Sequence, residues 1–146
     1  MLRNIYIFLS DGILLFDWAW NDLGQDPLLI SGFCSALWMF SKQIGGIEFQ
    51  MLKTKLYTFI GTSSKEYQIK IILIIDNVND LSKYEDFLES IKNDFCKKHR
   101  IELIKIKNKQ IPVKLNYFKN YSIDIKLITD QYFPEINHKK DIVVFS

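Results

Sequence analysis

The sequence predicts an α+β fold in which helices pack on a five-stranded antiparallel sheet. Short segments rich in β-branched and aromatic residues occur first as a pair and later as a group of three, with tight polar or glycine-containing turns between them. A segment with helical apolar spacing follows each group, so the predicted order over residues 1–99 is β-β-α-β-β-β-α. A chain of 146 residues, 48% of them hydrophobic, can bury a core without disulfides or metals.

The first two strands are predicted to form a hairpin. Segments 4–10 and 13–20 flank Asp11-Gly12, and Asp-Gly is a strong hairpin signal because both residues tolerate the positive φ of a type I′ turn. The same two residues interrupt the apolar run, which favours a strand pair over an export signal or a membrane span. Alternation along the second strand predicts that four residues share one face: Leu14, Phe16, Trp18 and Trp20.

The first helix is predicted to begin at Asp26 and to end near Gln43. Asp26 can cap the helix, Pro27 suits its first position, and Gly45-Gly46 terminates it. The apolar residues of this helix form two stripes about 100° apart. The first stripe, predicted to pack on the sheet, contains Leu29, Phe33, Leu37, Phe40 and Ile44. The second stripe, predicted to be the partner interface, contains Ile30, Cys34, Trp38 and Met39.

The second stripe needs a cover, because no charged residue occurs between Asp26 and Lys42. Fully burying one large apolar side chain contributes about 1.5–3 kcal/mol, so a solvated stripe would forfeit several such contributions and invite aggregation. Two covers are compatible with the sequence. One is another chain, most simply a second copy in a two-fold dimer. The other is residues 117–133 of the same chain.

Three strands and a long helix are predicted in the middle of the chain. The strands are residues 47–53, 55–62 and 67–76, and the last is almost continuously aliphatic, as expected for a central strand covered on both faces. Residues 80–99 combine apolar residues at helical spacing with a densely charged opposite face, which predicts an amphipathic helix.

Residues 100–146 are predicted to form a helical or extended appendage that packs on the domain of residues 1–99. Residues 101–107 fit either a strand or a continuation of the preceding helix. Residues 117–133 have apolar side chains three and four apart, which predicts a helix that ends before a proline. Residues 141–146, DIVVFS, are a short terminal strand or a tail.

The C-terminal part of the chain is basic. Residues 1–96 contain 8 Lys and Arg against 12 Asp and Glu, whereas residues 97–146 contain 11 against 5. The candidates for contact with an anionic surface are Lys97, Lys98, Arg100, Lys105, Lys107 and Lys109. A solvated, lysine-rich surface explains the pattern at least as well. Aromatic residues are not interleaved with the lysines, so nucleic acid is the less favoured anionic partner and peripheral contact with an anionic membrane the more favoured one.

No catalytic, cofactor-binding or metal-binding motif is found. The sequence lacks the GxxxxGK[ST] and GxGxxG phosphate loops, and His99 and His138 have no metal-binding spacing with cysteines. Cys34 and Cys96 both lie in apolar helical patterns, which is typical of reduced thiols in a cytosolic protein. We therefore expect no enzyme activity, no cofactor and a cytoplasmic location.

Three short phrases and the order of the elements resemble the longin and roadblock superfamily. The phrases are SDGILLF in the opening hairpin, DPLLISGF at the start of the first helix, and SGF-SA at residues 31–36. The last phrase looks like longin-like proteins of Asgard-type archaea that carry eukaryote-type small GTPases. Roadblock proteins usually begin with a helix, and none fits before Asn4, so the resemblance favours longin. It covers about residues 1–99.

The resemblance implies a docking and scaffolding role. In these families the equivalent helix or the neighbouring strand edge commonly forms dimers or docks a small GTPase. The expected function is therefore a non-enzymatic interaction module that dimerises, or that docks a small GTPase or a vesicle-trafficking-type component. The alternative is a basic peripheral protein that binds an anionic membrane or nucleic acid through residues 97–119. If it binds a membrane, we expect it at the cytoplasmic face.

Overall fold

The sheet has the predicted α+β architecture. The computed structural model describes residues 1–22, 24, 32–39 and 50–136. Within them the strands are β1 (Leu2–Leu9), β2 (Leu14–Ala19), β3 (Met51–Lys53), β4 (Tyr57–Ser64) and β5 (Ile69–Asp76). Each neighbouring pair is antiparallel, and the strand order across the sheet is β2-β1-β5-β4-β3. The predicted fold class is confirmed.

Helices cover both faces of this sheet. They are α1 (residues 32–39), α2 (Ser82–Lys98), α3 (Arg100–Lys107) and α4 (Tyr121–Tyr132), with a short 3₁₀ turn at Leu115–Tyr117. Residues 101–107 are thus helical, and the predicted helix within 117–133 is confirmed. The predicted cap at Asp26-Pro27, the stop at Gly45-Gly46, the start of the third strand at 47–49 and the segment 141–146 lie outside the described residues.

β5 is the central strand, as its aliphatic run predicts. Residues 69–75 are all buried, and the strand pairs with β1 on one side and β4 on the other. Its side chains alternate between two apolar layers. Those at odd positions, such as Ile71 and Leu73, belong to the layer beneath α2, α3 and α4, while Ile72 and Ile74 belong to the layer beneath α1. A strand between two such layers is expected to be apolar on both faces. Lys70, near the start of β5, is the exception.

The hairpin loop contains three residues, and the predicted type I′ turn is wrong. The N–H of Gly12 donates to the carbonyl of Leu9, and the N–H of Leu9 donates to the carbonyl of Ile13, both at 2.8 Å. Gly12 has φ +95°, but Asp11 is not in the left-handed region. Three-residue hairpin loops use one left-handed position, which glycine fills here. Asp11 instead accepts a hydrogen bond at Oδ1 from the N–H of Ile13 (3.3 Å).

A bulge in β2 overturns part of the predicted face assignment. Ile7 pairs with Phe16 and Phe8 pairs with Leu14, so Leu15 is an extra residue in the ladder. An extra residue reverses the alternation beyond it. Leu14 therefore packs in the layer beneath α1, whereas Phe16 stays in the layer beneath the other three helices, together with the Trp18 and Trp20 that pack against it.

Candidate interaction surface

The predicted orientation of α1 is wrong. Cys34 and Trp38, predicted to face a partner, are only 0% and 1% exposed and pack on the sheet. Phe33, predicted to pack on the sheet, is 52% exposed, and Leu37 is half-buried. Met39 is 54% exposed, in agreement with its predicted position, and Ile30 lies outside the described residues.

Packing around Trp38 explains this orientation. The indole meets the ring of Phe8 edge-on, with centroids 6.4 Å apart, and the Lys70 ammonium lies 5.0 Å from the indole centroid. One turn before Trp38, Ser35 lies against Gly12 of the hairpin loop. Tryptophan buries more apolar area than any other side chain on α1, so the rotation that places it on the sheet is favoured.

The outer face of α1 is uncharged. Its exposed residues are Gly32, Phe33, Ala36 and Met39. The exposed face of α2 on the other side of the sheet is very different, with Lys83, Glu85, Asp86, Glu89, Asn93 and Lys97. A helix that faces only solvent normally has the second composition. The first composition is typical of a helix that contacts something else.

The edge strand β3 also exposes one apolar side chain. β3 is the outermost strand at this edge, and Met51 is 53% exposed. Met51 pairs with Ile60, whose side chain packs in the layer beneath α2, so Met51 lies on the face of the sheet opposite α1. Trp38 and Met51 both line a cavity of about 480 Å³, so the C-terminal half of α1 lies near this edge. We use the name α1–β3 surface for the outer face of α1, with Phe33 and Met39, together with the edge of β3 that carries Met51.

Residues 117–133 do not cover α1. Phe118, Tyr121 and Ile125 are buried in the apolar layer beneath α2, on the opposite face of the sheet. The aromatic rings of Phe95 and Tyr121, on α2 and α4, lie 4.9 Å apart. The predicted intramolecular cover by this segment is therefore wrong, because α4 occupies the other face.

Two of the six basic candidates take part in the fold. Lys98 forms an ion pair with Asp124, which raises the pKa of the lysine, and its Nζ lies 3.6 Å from Asp94. Lys107 donates from Nζ to the carbonyl of Glu66 at 2.7 Å. The other four, Lys97, Arg100, Lys105 and Lys109, are exposed. Contact of these residues with an anionic surface stays a prediction.

The two thiols are poorly placed for nucleophilic chemistry. Burial raises the pKa of Cys34 to about 12, and burial also raises the pKa of Cys96. Both thiols are therefore protonated near neutral pH, and the thiolate is the nucleophile. Within the described part of the chain, no three histidine, cysteine or carboxylate side chains cluster as a metal site would require. No helix there is both long and apolar enough to span a bilayer.

Structural comparison agrees with this architecture. No family model and no curated protein matches the sequence. Among solved structures, Myxococcus xanthus MglB is similar, with a TM-score of 0.52 and 17% identity over 68% of this chain and 84% of that chain. The chain has a longin/roadblock-like fold. At this level of identity the likeness concerns the fold, and the resemblance of the short sequence phrases is consistent with it.

Sequence reasoning missed Phe33 as an exposed residue, although a signal was present. Phe33 shares its face with Gly32 and Ala36, which offer little side-chain area to a sheet. The second stripe contains Trp38, which offers the largest side-chain area for burial. Comparing the area that each stripe can bury, rather than counting apolar positions, would have selected the observed orientation.

Proposed function

We propose that this protein is a non-enzymatic, cytoplasmic longin-like interaction module. In this proposal the α1–β3 surface either forms a homodimer or docks a small GTPase or another vesicle-trafficking-type component. The observation that carries the proposal is the uncharged outer face of α1, with Phe33 and Met39 about half exposed. The longin/roadblock-like fold supports it, because these families commonly use the equivalent helix or the neighbouring strand edge for such contacts.

The energetics favour a surface that combines the helix face with the strand edge. Burying the exposed parts of Phe33, Met39 and Met51 would contribute about 1 kcal/mol each, taking about half of the value for a whole side chain. Association costs at least about 4 kcal/mol in lost motion, so these three side chains do not suffice. No strand among the described residues pairs with the outer edge of β3. That edge can add backbone hydrogen bonds to a partner strand, each contributing about 0.5–1.5 kcal/mol.

The test is to place a charge on this surface and to compare it with a matched change elsewhere. Phe33→Glu introduces a carboxylate on the outer face of α1. Ile123→Glu is the control, because Ile123 is 62% exposed but lies on α4, on the opposite face of the sheet. Both positions are exposed, so we expect both variants to fold with about wild-type stability.

Two measurements follow from this pair of variants. Size-exclusion chromatography with light scattering over a range of concentrations reports self-association, and binding to purified small GTPases from the same genome, loaded with GDP or a GTP analogue, reports docking. We expect Phe33→Glu to abolish whichever association the wild type shows, and Ile123→Glu to keep it. Wild-type association retained by Phe33→Glu, or lost equally in both variants, would contradict the proposal.

A further inference from the structure

The surface of the chain between residues 97 and 127 is basic throughout. The structure describes all of these residues, and every exposed charged residue among them is a lysine or an arginine. The two acidic residues of the segment, Glu102 and Asp124, are half-buried, and Asp124 forms an ion pair with Lys98. Lys98 and Lys107 bond to other parts of the fold. The remaining exposed cations are Lys97, Arg100, Lys105, Lys109, Lys114, Lys119 and Lys126.

Aliphatic side chains are exposed among these cations. Ile101 on α3 and both Ile123 and Leu127 on α4 are more than half exposed, and Ile104 on α3 is exposed to a smaller extent. A helix that faces only solvent normally carries polar residues at such positions. One exposed aliphatic residue is ordinary, whereas four on two helices form a patch that indicates a contact.

The exposed aliphatic residues of α3 lie on its outer face. Ile104 and Lys105 follow Ile101 by three and four positions, so the three residues share one side of the helix. Leu103 and Ile106 are buried on the opposite side, in the apolar layer beneath α2, α3 and α4. The outer face of α3 therefore points away from the sheet.

α4 has the same arrangement. Ile123 and Leu127 are one turn apart and share one side of the helix. Ile125 and Ile128 are buried on the opposite side, in the same apolar layer that receives α3. The outer faces of α3 and α4 thus point away from the same face of the sheet.

The junction between α2 and α3 lies beside the start of α4. The ring centroids of His99 and Phe118 are 5.0 Å apart, and the ion pair between Lys98 and Asp124 spans the same junction. The two outer faces are therefore neighbours. We use the name α3–α4 surface for the residues exposed on them: Ile101, Ile104, Lys105, Ile123 and Leu127.

We propose that the α3–α4 surface is a peripheral membrane-binding site that rests on an anionic lipid bilayer. The aliphatic side chains enter the boundary between headgroups and acyl chains, and the surrounding cations contact the negatively charged headgroups. The site thus combines apolar insertion with charge. It differs in this respect from contact through the basic residues alone, and Ile123 and Leu127 are the residues that distinguish the two.

The combination of residues favours a bilayer over other anionic partners. Nucleic acid offers phosphates to lysines but little to isoleucine or leucine, and single strands are held by stacking on aromatic rings. Phe118 and Tyr121 of this segment are buried in the core and cannot stack on a base. The interface of a fluid bilayer, in contrast, accepts aliphatic side chains that are separated by lysines.

The expected binding is reversible and depends on both kinds of residue. Burying about half of one aliphatic side chain corresponds to about fivefold in affinity, and so does one lysine close to an anionic surface. A single acyl chain attached to a protein gives only marginal membrane binding, so neither the four aliphatic residues nor the cations suffice alone. Loss of either set is therefore expected to release the protein.

This orientation leaves the outer face of α1 accessible. α1 packs on the other face of the sheet, so Phe33 and Met39 point away from a bilayer that contacts α3 and α4. One molecule can hold a membrane and a protein partner at the same time. The inference stands independently of the proposed function, because the two surfaces share no residue.

Flotation with two kinds of vesicle tests the proposal: phosphatidylcholine alone, and phosphatidylcholine mixed with phosphatidylserine. We expect the full chain to bind the mixed vesicles only, and to bind them less as salt is added. Replacing Ile123 and Leu127 together by serine removes apolar area without changing the charge, and it should weaken binding by about 25-fold. That ratio should change little with salt, because apolar burial is not screened.

Replacing Ile13 and Leu56 together by serine is the matched control. Both are exposed aliphatic residues, one before β2 and one between β3 and β4, so this variant should bind like the wild type. Thermal melts verify that both double variants are folded. The proposal would be overturned if the wild type failed to bind mixed vesicles or bound both kinds equally. It would also be overturned if the Ile123 and Leu127 variant kept wild-type affinity, or if the control lost as much.

Light scattering in the absence of vesicles separates a membrane from a protein partner. The wild type and the Ile123 and Leu127 variant should have the same mass at every concentration. A lower mass of the variant would place a second protein chain on the α3–α4 surface and would overturn the proposal.

Discussion

Gly12 and Ser35 meet where the β1–β2 loop touches α1. A Cβ on Gly12 would lie 3.3 Å from both Cβ and Oγ of Ser35, tighter than an ordinary van der Waals contact. Gly12 also has φ +95°, a conformation that residues with a side chain rarely adopt. Gly12 therefore ends the hairpin loop and, having no side chain, leaves room for α1 beside it. This close approach helps to set which side of α1 faces the sheet.

Gly12→Ala should destabilise the protein more than Gly24→Ala. Gly24 also has a positive φ (+77°), but nothing lies within 4 Å of the position of its Cβ. Both changes carry the left-handed penalty of roughly 1–2 kcal/mol, and only the first adds crowding against Ser35. Urea unfolding of the two variants measures the difference. Equal losses would show that the contact between the loop and α1 is not tight in solution.

Trp38 and Met39 are neighbours in sequence with opposite expected effects. Trp38→Ala removes a side chain that is 1% exposed and should cost about 3–5 kcal/mol of unfolding free energy. Met39→Ala removes one that is 54% exposed and should change stability by no more than about 0.5 kcal/mol. Chemical unfolding of both variants at low protein concentration, where self-association is minimal, provides the measurement. A large loss in Met39→Ala would place that side chain in the core instead.

Stability should fall as the solution is acidified through the range in which histidine titrates. His99 packs against the rings of Phe95, Phe118 and Tyr121 at centroid distances of 4.9–5.6 Å, and burial lowers its pKa even though Glu102, Asp124 and Asp94 oppose that shift. The neutral form is therefore favoured in the folded state. The unfolded chain takes up a proton near its ordinary pKa of about 6.5, whereas the folded chain does so only at lower pH.

The stabilising contribution of neutral His99 is thus present above about pH 6.5 and is lost as the pH falls toward the folded-state pKa. Unfolding free energies at several pH values between roughly 8 and 5 measure this slope. His99→Gln is the control, because it removes the titrating group at the same position. A wild-type slope identical to that of His99→Gln would contradict the expected role of this residue.

Basic residues that form ion pairs within the fold and basic residues that face solvent should differ in their effect on stability. Lys98→Gln breaks the ion pair that joins the end of α2 to Asp124 of α4, and also the one with Asp94 within α2. We expect a loss of up to about 1 kcal/mol, since both pairs are partly exposed. Lys105→Gln changes an exposed residue of α3 and should be neutral within about 0.5 kcal/mol. Thermal melts at low and high salt compare them. The difference should shrink in high salt, and its persistence would point to packing rather than charge.

Flotation with anionic vesicles tests the remaining prediction for the basic residues. Binding through Lys97, Arg100, Lys105 and Lys109 should occur at low salt and weaken steeply as salt is added. Replacing Lys105 and Lys109 together by glutamate should reduce it. The matched control replaces Lys53 and Lys55, two exposed lysines at β3 and just after it, by glutamate. The absence of low-salt binding by the wild type would leave these residues as a solvated surface.

Much of the architecture was determined by the sequence alone. The β-rich segments, the helix at 80–99 and the helical spacing within 117–133 each correspond to an observed element, because these patterns depend on local periods of about two or 3.6 residues. The central position of β5 was also predictable, since a strand that is aliphatic on both faces requires cover on both. Residues 101–107 stayed ambiguous because a short apolar run fits both periods. Burial of Leu103 and Ile106, three residues apart, settles that segment as a helix.

The tertiary structure alone decided which side of α1 faces outward. Two apolar stripes about 100° apart satisfy the same helical period, so the sequence pattern does not choose between them. The choice depends on contacts between residues that are distant in sequence. Trp38 packs on the layer that contains Tyr6, Phe8 and Leu14, and the β2 bulge places Leu14 in that layer. Gly12 leaves room for Ser35. The same contacts turn Phe33 to the surface. A local period specifies which residues share a face, and only packing between elements specifies where that face points.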